Sequence, residues 1–130
     1  MDTMTAIRPT VRRTRRISLP AAPAAAAKAR RHVQATIYGW DVPVDPIVAV
    51  LLTSELVTNA IRYASRPISV RLMLTDSLLC EVHDDDHHLP VLGNPCPMDE
   101  SGRGILLVCR LARRWGVSRI PTGKVVWFEL

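Results

Sequence analysis

The sequence predicts an α+β fold, a two-layer α/β sandwich in which helices cover one face of a mixed, mostly antiparallel β-sheet. Three observations predict this fold. Apolar residues recur at helical spacing in two N-terminal segments, they alternate with polar residues in the middle of the chain, and two short strand-like segments close it. The predicted order is β-α-α-β-β-loop-α-β-β, with elements at 15–20, 23–39, 45–64, 68–84 (a hairpin), 102–116, 116–120 and 124–130.

The two N-terminal helices have recognisable starts and stops. The first is expected to begin near Pro23, because proline suits a first helical turn, and to end at Gly39, a frequent C-terminal residue. The second is expected to begin at Asp45 and Pro46, where aspartate caps the helix and proline takes the first helical position. It should continue to about Ala64.

Residues 68–84 have the pattern of a β-hairpin. Apolar and polar side chains alternate on either side of a turn at 75–77. Continuing the alternation places Asp84 on the same side as Cys80 and Val82, at the end of a strand and facing the core. A carboxylate in that position needs a polar partner.

Length and charge indicate one domain with a basic extension. The chain has 130 residues, of which 48% are hydrophobic, and a formal net charge of +5. Residues 1–31 hold eight of the 17 basic residues and one acid, a net charge of +7, so the remainder carries −2. We therefore interpret 1–14 as a basic, disordered segment and 15–130 as a single domain. The acidic body argues against nucleic-acid binding by the whole protein, although the N-terminal arginines keep it as an alternative.

The cysteines and the hydropathy indicate a cytoplasmic protein without a membrane span. The cysteines are odd in number and lack C-x-x-C spacing; they are Cys80, Cys96 and Cys109. A zinc site that combines Cys80 with His83 and His87 lacks an obvious fourth ligand. Twin arginines precede an alanine-rich run in 14–30, as in an export signal, but prolines and a lysine interrupt the run. We interpret 14–30 as a strand followed by a helix.

The second helix carries two polar residues whose presence needs an explanation. Glu55 and Asn59 are four residues apart in the apolar segment 51–65 and so lie on one face of the helix. The amide oxygen of Asn59 is a hard ligand suited to Mg²⁺ carried by a nucleotide. Glu55, one turn earlier, is placed to take a proton from an attacking hydroxyl group or water. Alone, the pair could equally be a solvated stripe.

Two further elements supply the other parts of a nucleotide site. The glycine-rich start of a helix at Gly102 and Gly104 exposes N–H groups suited to phosphate. Arg103 and Arg62 could neutralise phosphate charge, and Asp84 could accept a hydrogen bond from an exocyclic amine such as that of adenine. Each feature alone has an ordinary structural explanation, so their conjunction and chain order carry the prediction.

Three motifs then resemble those of a known superfamily. The stretches "ELVTNAIRYA", "VHDDDHHLP" and "SGRGILLVCRLARRWGV…TGKVVWFEL" resemble the N box and the two glycine boxes of GHKL ATPases. They are most similar to those of small bacterial ATP-binding proteins related to anti-sigma-factor serine/threonine kinases. The resemblance covers about 15–130 and implies the Bergerat-type ATP-binding fold, with ATP and Mg²⁺ as cofactors.

The resemblance also implies a role for each matching residue. Glu55 would be the general base, Asn59 would hold Mg²⁺ through ATP, and Asp84 would bind the adenine amine. The loop 86–101 would form a lid over the phosphates. Taken together with the residue chemistry above, the predicted cofactor-binding residues are Asn59, Arg62, Asp84, Gly102, Arg103, Gly104 and Ile105.

The implied function is that of a protein kinase that acts by partner switching. Such a kinase binds a sigma factor and phosphorylates an anti-anti-sigma partner on serine; whether it is a homodimer is left open. Two departures keep an alternative in view, a non-catalytic module of the same fold that sequesters a protein partner with weak or no nucleotide binding. No glycine follows Asp84 in "DDDHH", and Val125 replaces a threonine that often supports adenine-bound water.

Overall fold

The computed structural model describes residues 10–87, 107–108 and 110–130. Every pair of neighbouring strands in the described sheet is antiparallel, in the order β1-β2-β3-β5-β4. The predicted α+β sandwich is confirmed, although its sheet, expected to be mixed, is antiparallel throughout the described residues. The helices and strands are β1 (Arg13–Leu19), α1 (Ala24–Trp40), α2 (Pro46–Tyr63), β2 (Ile68–Leu74), β3 (Leu78–Asp84), β4 (Arg114–Ile120) and β5 (Gly123–Glu129).

The two helices begin close to where the sequence predicts. The Asp45 side chain accepts a hydrogen bond from the backbone N–H of Ile47 at 2.9 Å, which confirms it as the cap of α2. Helix α1 runs one residue beyond Gly39 and ends at Trp40, and its C-cap residue Asp41 has a φ of 53°, in the left-handed region. Neither α1 nor α2 has the length and apolar character to cross a membrane, nor does any other helix within the described ranges.

Both helices lie on the same face of the sheet. Arg15, Leu72 and Cys80 are neighbours across β1, β2 and β3, so their side chains share one face. The Arg15 guanidinium donates to Thr36 of α1 at 3.5 Å, and Thr53 of α2 lies 3.6 Å from the Cys80 sulfur. The buried core lies between these layers. Its most enclosed large side chains include Leu19, Val33, Leu52, Val57, Ile68, Val70, Leu72, Leu78, Val82 and Phe128.

Two boundaries differ from the sequence prediction. The third helix, expected over 102–116, stops earlier: residues 107–108 and 110–111 are helical, and β4 begins at Arg114. Backbone pairing with β5 explains the early end, because the Arg113 N–H already donates to the Glu129 carbonyl at 2.8 Å. At the other end, β1 includes Arg13 and Thr14, which the sequence had assigned to the N-terminal segment. Residues 1–9 of that segment lie outside the described residues.

Candidate nucleotide-binding site

The orientation of α2 follows from two neighbouring hydroxyl groups. Thr53 points at the sheet, where its Oγ1 lies 3.6 Å from the Cys80 sulfur. Ser54 points at α1, where its hydroxyl accepts from the Arg30 guanidinium at 3.1 Å. Successive helical residues are about 100° apart. The contacts of these two residues therefore fix where every other side chain on α2 points.

Glu55 and Asn59 point to the flank of α2 that faces away from both neighbours. Glu55 is rotated by about 200° from Thr53 and about 100° from Ser54, and Asn59 follows one turn later. Both side chains are half-buried. Neither makes a hydrogen bond or an ion pair with any described residue. Neither side chain has a polar atom buried without a partner, so both present their polar ends to solvent and to any ligand that reaches this flank, which is the candidate ligand face.

Asp84 faces the core, as the alternation predicted, and it already has a cationic partner. The burial of β3 alternates along its whole length, and Asp84 is only 3% exposed. Its Oδ1 accepts from the Lys124 ammonium at 3.0 Å and from the Asp86 N–H at 2.8 Å. The Lys124 ammonium also donates to Asp86 Oδ2 at 3.0 Å and to the Asp86 carbonyl at 3.3 Å.

The residue beside Asp84 is therefore Lys124 and not Val125. In the ladder between β3 and β5, Asp84 lies opposite Lys124, whereas Val125 lies opposite His83. Val125 points to the face of the sheet opposite α1 and α2, on which the described residues place no helix and which is called the helix-free face below. Val125, which stands where a threonine often supports adenine-bound water, therefore points away from Asp84. The alternation in "KVVWFEL" contained the signal, because it puts Lys124 on the inward face together with Val126 and Phe128.

The acidic run after β3 is held by specific partners. Asp85 accepts hydrogen bonds from the backbone N–H groups of Ser65 at 2.9 Å and Arg66 at 3.4 Å. These bonds, led by that from Ser65, lower the pKa of Asp85. They also join the end of β3 to the chain just after α2. The fold thereby brings the last turns of α2, with Asn59, to the end of the strand that carries Asp84.

Of the remaining predicted site residues, the structure describes Arg62 but not those of the second glycine box. Arg62 is exposed in the last turn of α2, one turn beyond Asn59. The predicted phosphate-binding residues and most of the predicted lid lie outside the described residues, namely Gly102, Arg103, Gly104, Ile105 and 88–101. The convergence of the second glycine box with Glu55 and Asn59 stays a prediction.

The alternative zinc cluster does not form in the described part of the chain. Cys80 faces the core and His83 faces the opposite side of the sheet, where its Nε2 lies 3.2 Å from the Thr122 hydroxyl. Burial raises the pKa of the Cys80 thiol to about 12, so the thiol stays neutral. Within the described ranges, no three His, Cys, Asp or Glu side chains are grouped so that they could hold a metal ion.

A separate hollow lies on the helix-free face near the end of β3. Its walls include the outward-facing side chains Arg16, Ser18, Ser69 and His83. Glu55 and Asn59 do not contribute to it, because they belong to a helix on the other face of the sheet. This hollow is therefore distinct from the candidate ligand face of α2.

Comparison with known proteins identifies the family of the domain. A family model described as the histidine kinase-like ATPase domain matches residues 19–130, which is most of the chain. No curated protein matches the chain. The family match supports the resemblance to GHKL ATPases and, with it, ATP binding as the general role of the domain. The chain belongs to the histidine kinase-like ATPase domain family.

Proposed function

We propose that this protein is an ATP-binding regulator that acts as an anti-sigma-factor-type serine/threonine kinase by partner switching. It binds a sigma factor in one state and phosphorylates an anti-anti-sigma partner on serine in the other. The observation that carries the proposal is the pair Glu55 and Asn59, half-buried on one flank of α2 and without a partner among the described residues. Such a pair is suited to a ligand that brings its own positive charge and a proton to remove.

The chemistry assigns a different task to each residue. The Asn59 amide oxygen is a hard donor that fits Mg²⁺, which would neutralise phosphate charge when bound with ATP. Glu55 accepts the proton of the substrate serine hydroxyl as the serine oxygen forms a bond to the γ-phosphorus. The bond from that phosphorus to the bridging oxygen breaks, and its electron pair leaves with ADP. Arg62 adds positive charge at the end of α2.

Transfer of labelled γ-phosphate to a purified anti-anti-sigma protein tests the role of Glu55. Glu55→Gln should retain Mg-ATP binding within about threefold and lower the transfer rate by at least 100-fold, since general-base catalysis contributes roughly 10²–10⁴-fold. Glu81→Gln is the matched control, because Glu81 lies on the helix-free face and pairs with Arg71. A Glu55→Gln protein that transfers phosphate as fast as the parent would exclude Glu55 as the base.

A second candidate function is a non-catalytic module that sequesters its protein partner. The ion pair between Asp84 and Lys124 favours it, because that pair uses an acceptor that a nucleotide base would need. Thermal and urea unfolding with and without Mg-ATP separate the two candidates. A ligand at about 100 times its Kd stabilises a protein by roughly 2.7 kcal/mol. Absence of any shift at millimolar Mg-ATP would favour the module over the kinase.

A further inference from the structure

The strongest unexplained feature is a cluster of three charges where β3 ends and β5 begins, formed by the buried residues Asp84 and Lys124 and the partly buried Asp86. Their side chains are 2%, 11% and 9% exposed. An ammonium group has three donors and no acceptor. The three acceptors of the Lys124 ammonium are Asp84 Oδ1, Asp86 Oδ2 and the Asp86 carbonyl, at 3.0, 3.0 and 3.3 Å. The lysine therefore has no donor left over for a ligand.

The backbone holds Lys124 beside Asp84. The preceding residue, Gly123, has a φ of +143°, and a Cβ added there would lie 1.9 Å from the Asp84 carbonyl oxygen. The start of β5 is thus pressed against the end of β3, and Lys124 follows directly opposite Asp84 in the ladder. Release of Asp84 must come from rotation of the lysine side chain, because a shift of the strand would break the ladder.

We propose that Lys124 is an internal competitor for the base-binding carboxylate and thereby sets both the affinity for adenine nucleotides and the choice of base. The proposal rests on the nucleotide binding proposed above. An ammonium forms a stronger, charge-assisted hydrogen bond to a carboxylate than the neutral amine of adenine does. Adenine must therefore displace Lys124 from Asp84 or share the carboxylate with Lys124. Either arrangement lowers the affinity of the protein for adenine nucleotides.

The choice of base follows from the chemistry of position 6 of the purine. Adenine presents an amine donor there, whereas guanine presents a carbonyl acceptor. A free Asp84 carboxylate selects the donor and repels the acceptor. With its charge neutralised by Lys124, Asp84 loses most of this selection. A purely structural ion pair would have no effect on the ratio of the two nucleotide affinities.

Isothermal titration calorimetry with Mg-ATP and Mg-GTP tests this competition. Lys124→Met should bind Mg-ATP at least tenfold more tightly than the parent, and its Kd ratio of GTP to ATP should rise at least tenfold. Lys124→Arg keeps the charge beside Asp84 and should behave as the parent. Lys28→Met is the matched control, because Lys28 is the other lysine of the chain and is exposed on α1.

A second variant protects the test against loss of folding. Lys124→Met leaves two carboxylates close together, so Lys124→Met/Asp86→Asn removes one of the negative charges while Asp84 is kept. Circular dichroism and thermal melting establish that each protein is folded. The double variant should bind Mg-ATP as tightly as Lys124→Met.

The possible results separate the competition from the function itself. If the parent binds Mg-ATP and the folded variants bind it no more tightly, the competition is refuted and the proposed function stands. If neither the parent nor the folded variants bind Mg-ATP, both fall. If the parent shows no binding and the variants bind Mg-ATP in preference to Mg-GTP, the competition is established.

Discussion

The three charged residues of the cluster, Lys124, Asp84 and Asp86, should contribute unequally to folding stability, in an order that the structure determines. Lys124→Met removes the cation that both carboxylates share. Because breaking a buried ion pair by removing one partner costs about 3–5 kcal/mol, this variant should lose that amount of unfolding free energy. Asp84→Ala leaves the ammonium with the Asp86 carboxylate and carbonyl, so two of its three bonds remain. The Asp86 N–H also loses its acceptor, so the cost should be about 2–3 kcal/mol, since each buried donor left unsatisfied costs roughly 1–3 kcal/mol.

Asp86→Ala should be the mildest of the three substitutions. It preserves the ion pair between Lys124 and Asp84, the most buried of the carboxylates, and Asp86 keeps its backbone carbonyl as an acceptor. The expected cost is roughly 1 kcal/mol. Arg71→Met is the control, because its pair with Glu81 is partly exposed and such pairs contribute about 0–1 kcal/mol.

Urea unfolding followed by circular dichroism measures these differences. Linear extrapolation gives the unfolding free energy of each variant, and an unchanged slope shows that the denatured state is comparable. The reasoning is refuted if Lys124→Met is as stable as Asp86→Ala, or if all three variants lie within about 0.5 kcal/mol of the parent, as ordinary surface substitutions do. Either result would mean that the cluster is solvated in solution.

Three further predictions concern the rest of the described chain. Gly123→Ala should lower the unfolding free energy by about 2 kcal/mol or more, because Gly123 has a positive φ and its added Cβ would collide with Asp84. Gly39→Ala should be neutral or stabilising, because a Cβ there meets nothing within 4 Å. Thermal melting compares the two variants. Cys80 should be alkylated by iodoacetamide no faster than the protein unfolds, because its buried thiol stays neutral. Peptide mass spectrometry measures the rate of alkylation, and rapid labelling of the folded protein would contradict this prediction. Burial lowers the pKa of His32 below 6.5 in the folded protein, so the unfolded chain takes up a proton at a higher pH than the folded chain does. The unfolding free energy should therefore fall as the pH drops through 6.5, and it should level off below the pKa of His32 in the folded protein. His32→Gln should flatten the melting temperature over that window, and an unchanged slope would show that another group titrates there.

Local patterns were enough to predict the elements that lie early in the chain. The cap of α2 at Asp45 is a contact over two residues, and the inward orientation of Asp84 follows from strict alternation along β3. The third helix was predicted too long because "RLARRWG" suits a helix or a strand, and pairing with β5 selects the strand from Arg114. The intrinsic preference of a segment for helix or strand has little influence where a neighbouring strand offers its backbone groups a complete set of ladder hydrogen bonds.

The sequence by itself determined the fold class, the face of α2 that carries Glu55 and Asn59, and the inward position of Asp84. These depend on spacings of two to four residues, which helix and strand geometry convert directly into faces. Only the tertiary structure decided what Asp84 meets. Its partner Lys124 is 40 residues away in the chain, and the register between β3 and β5 pairs that lysine with Asp84. The alternation along β5 turns Lys124 inward, but a shift of the register by two residues would keep it inward and pair it with a different residue, and local sequence does not specify register between distant strands.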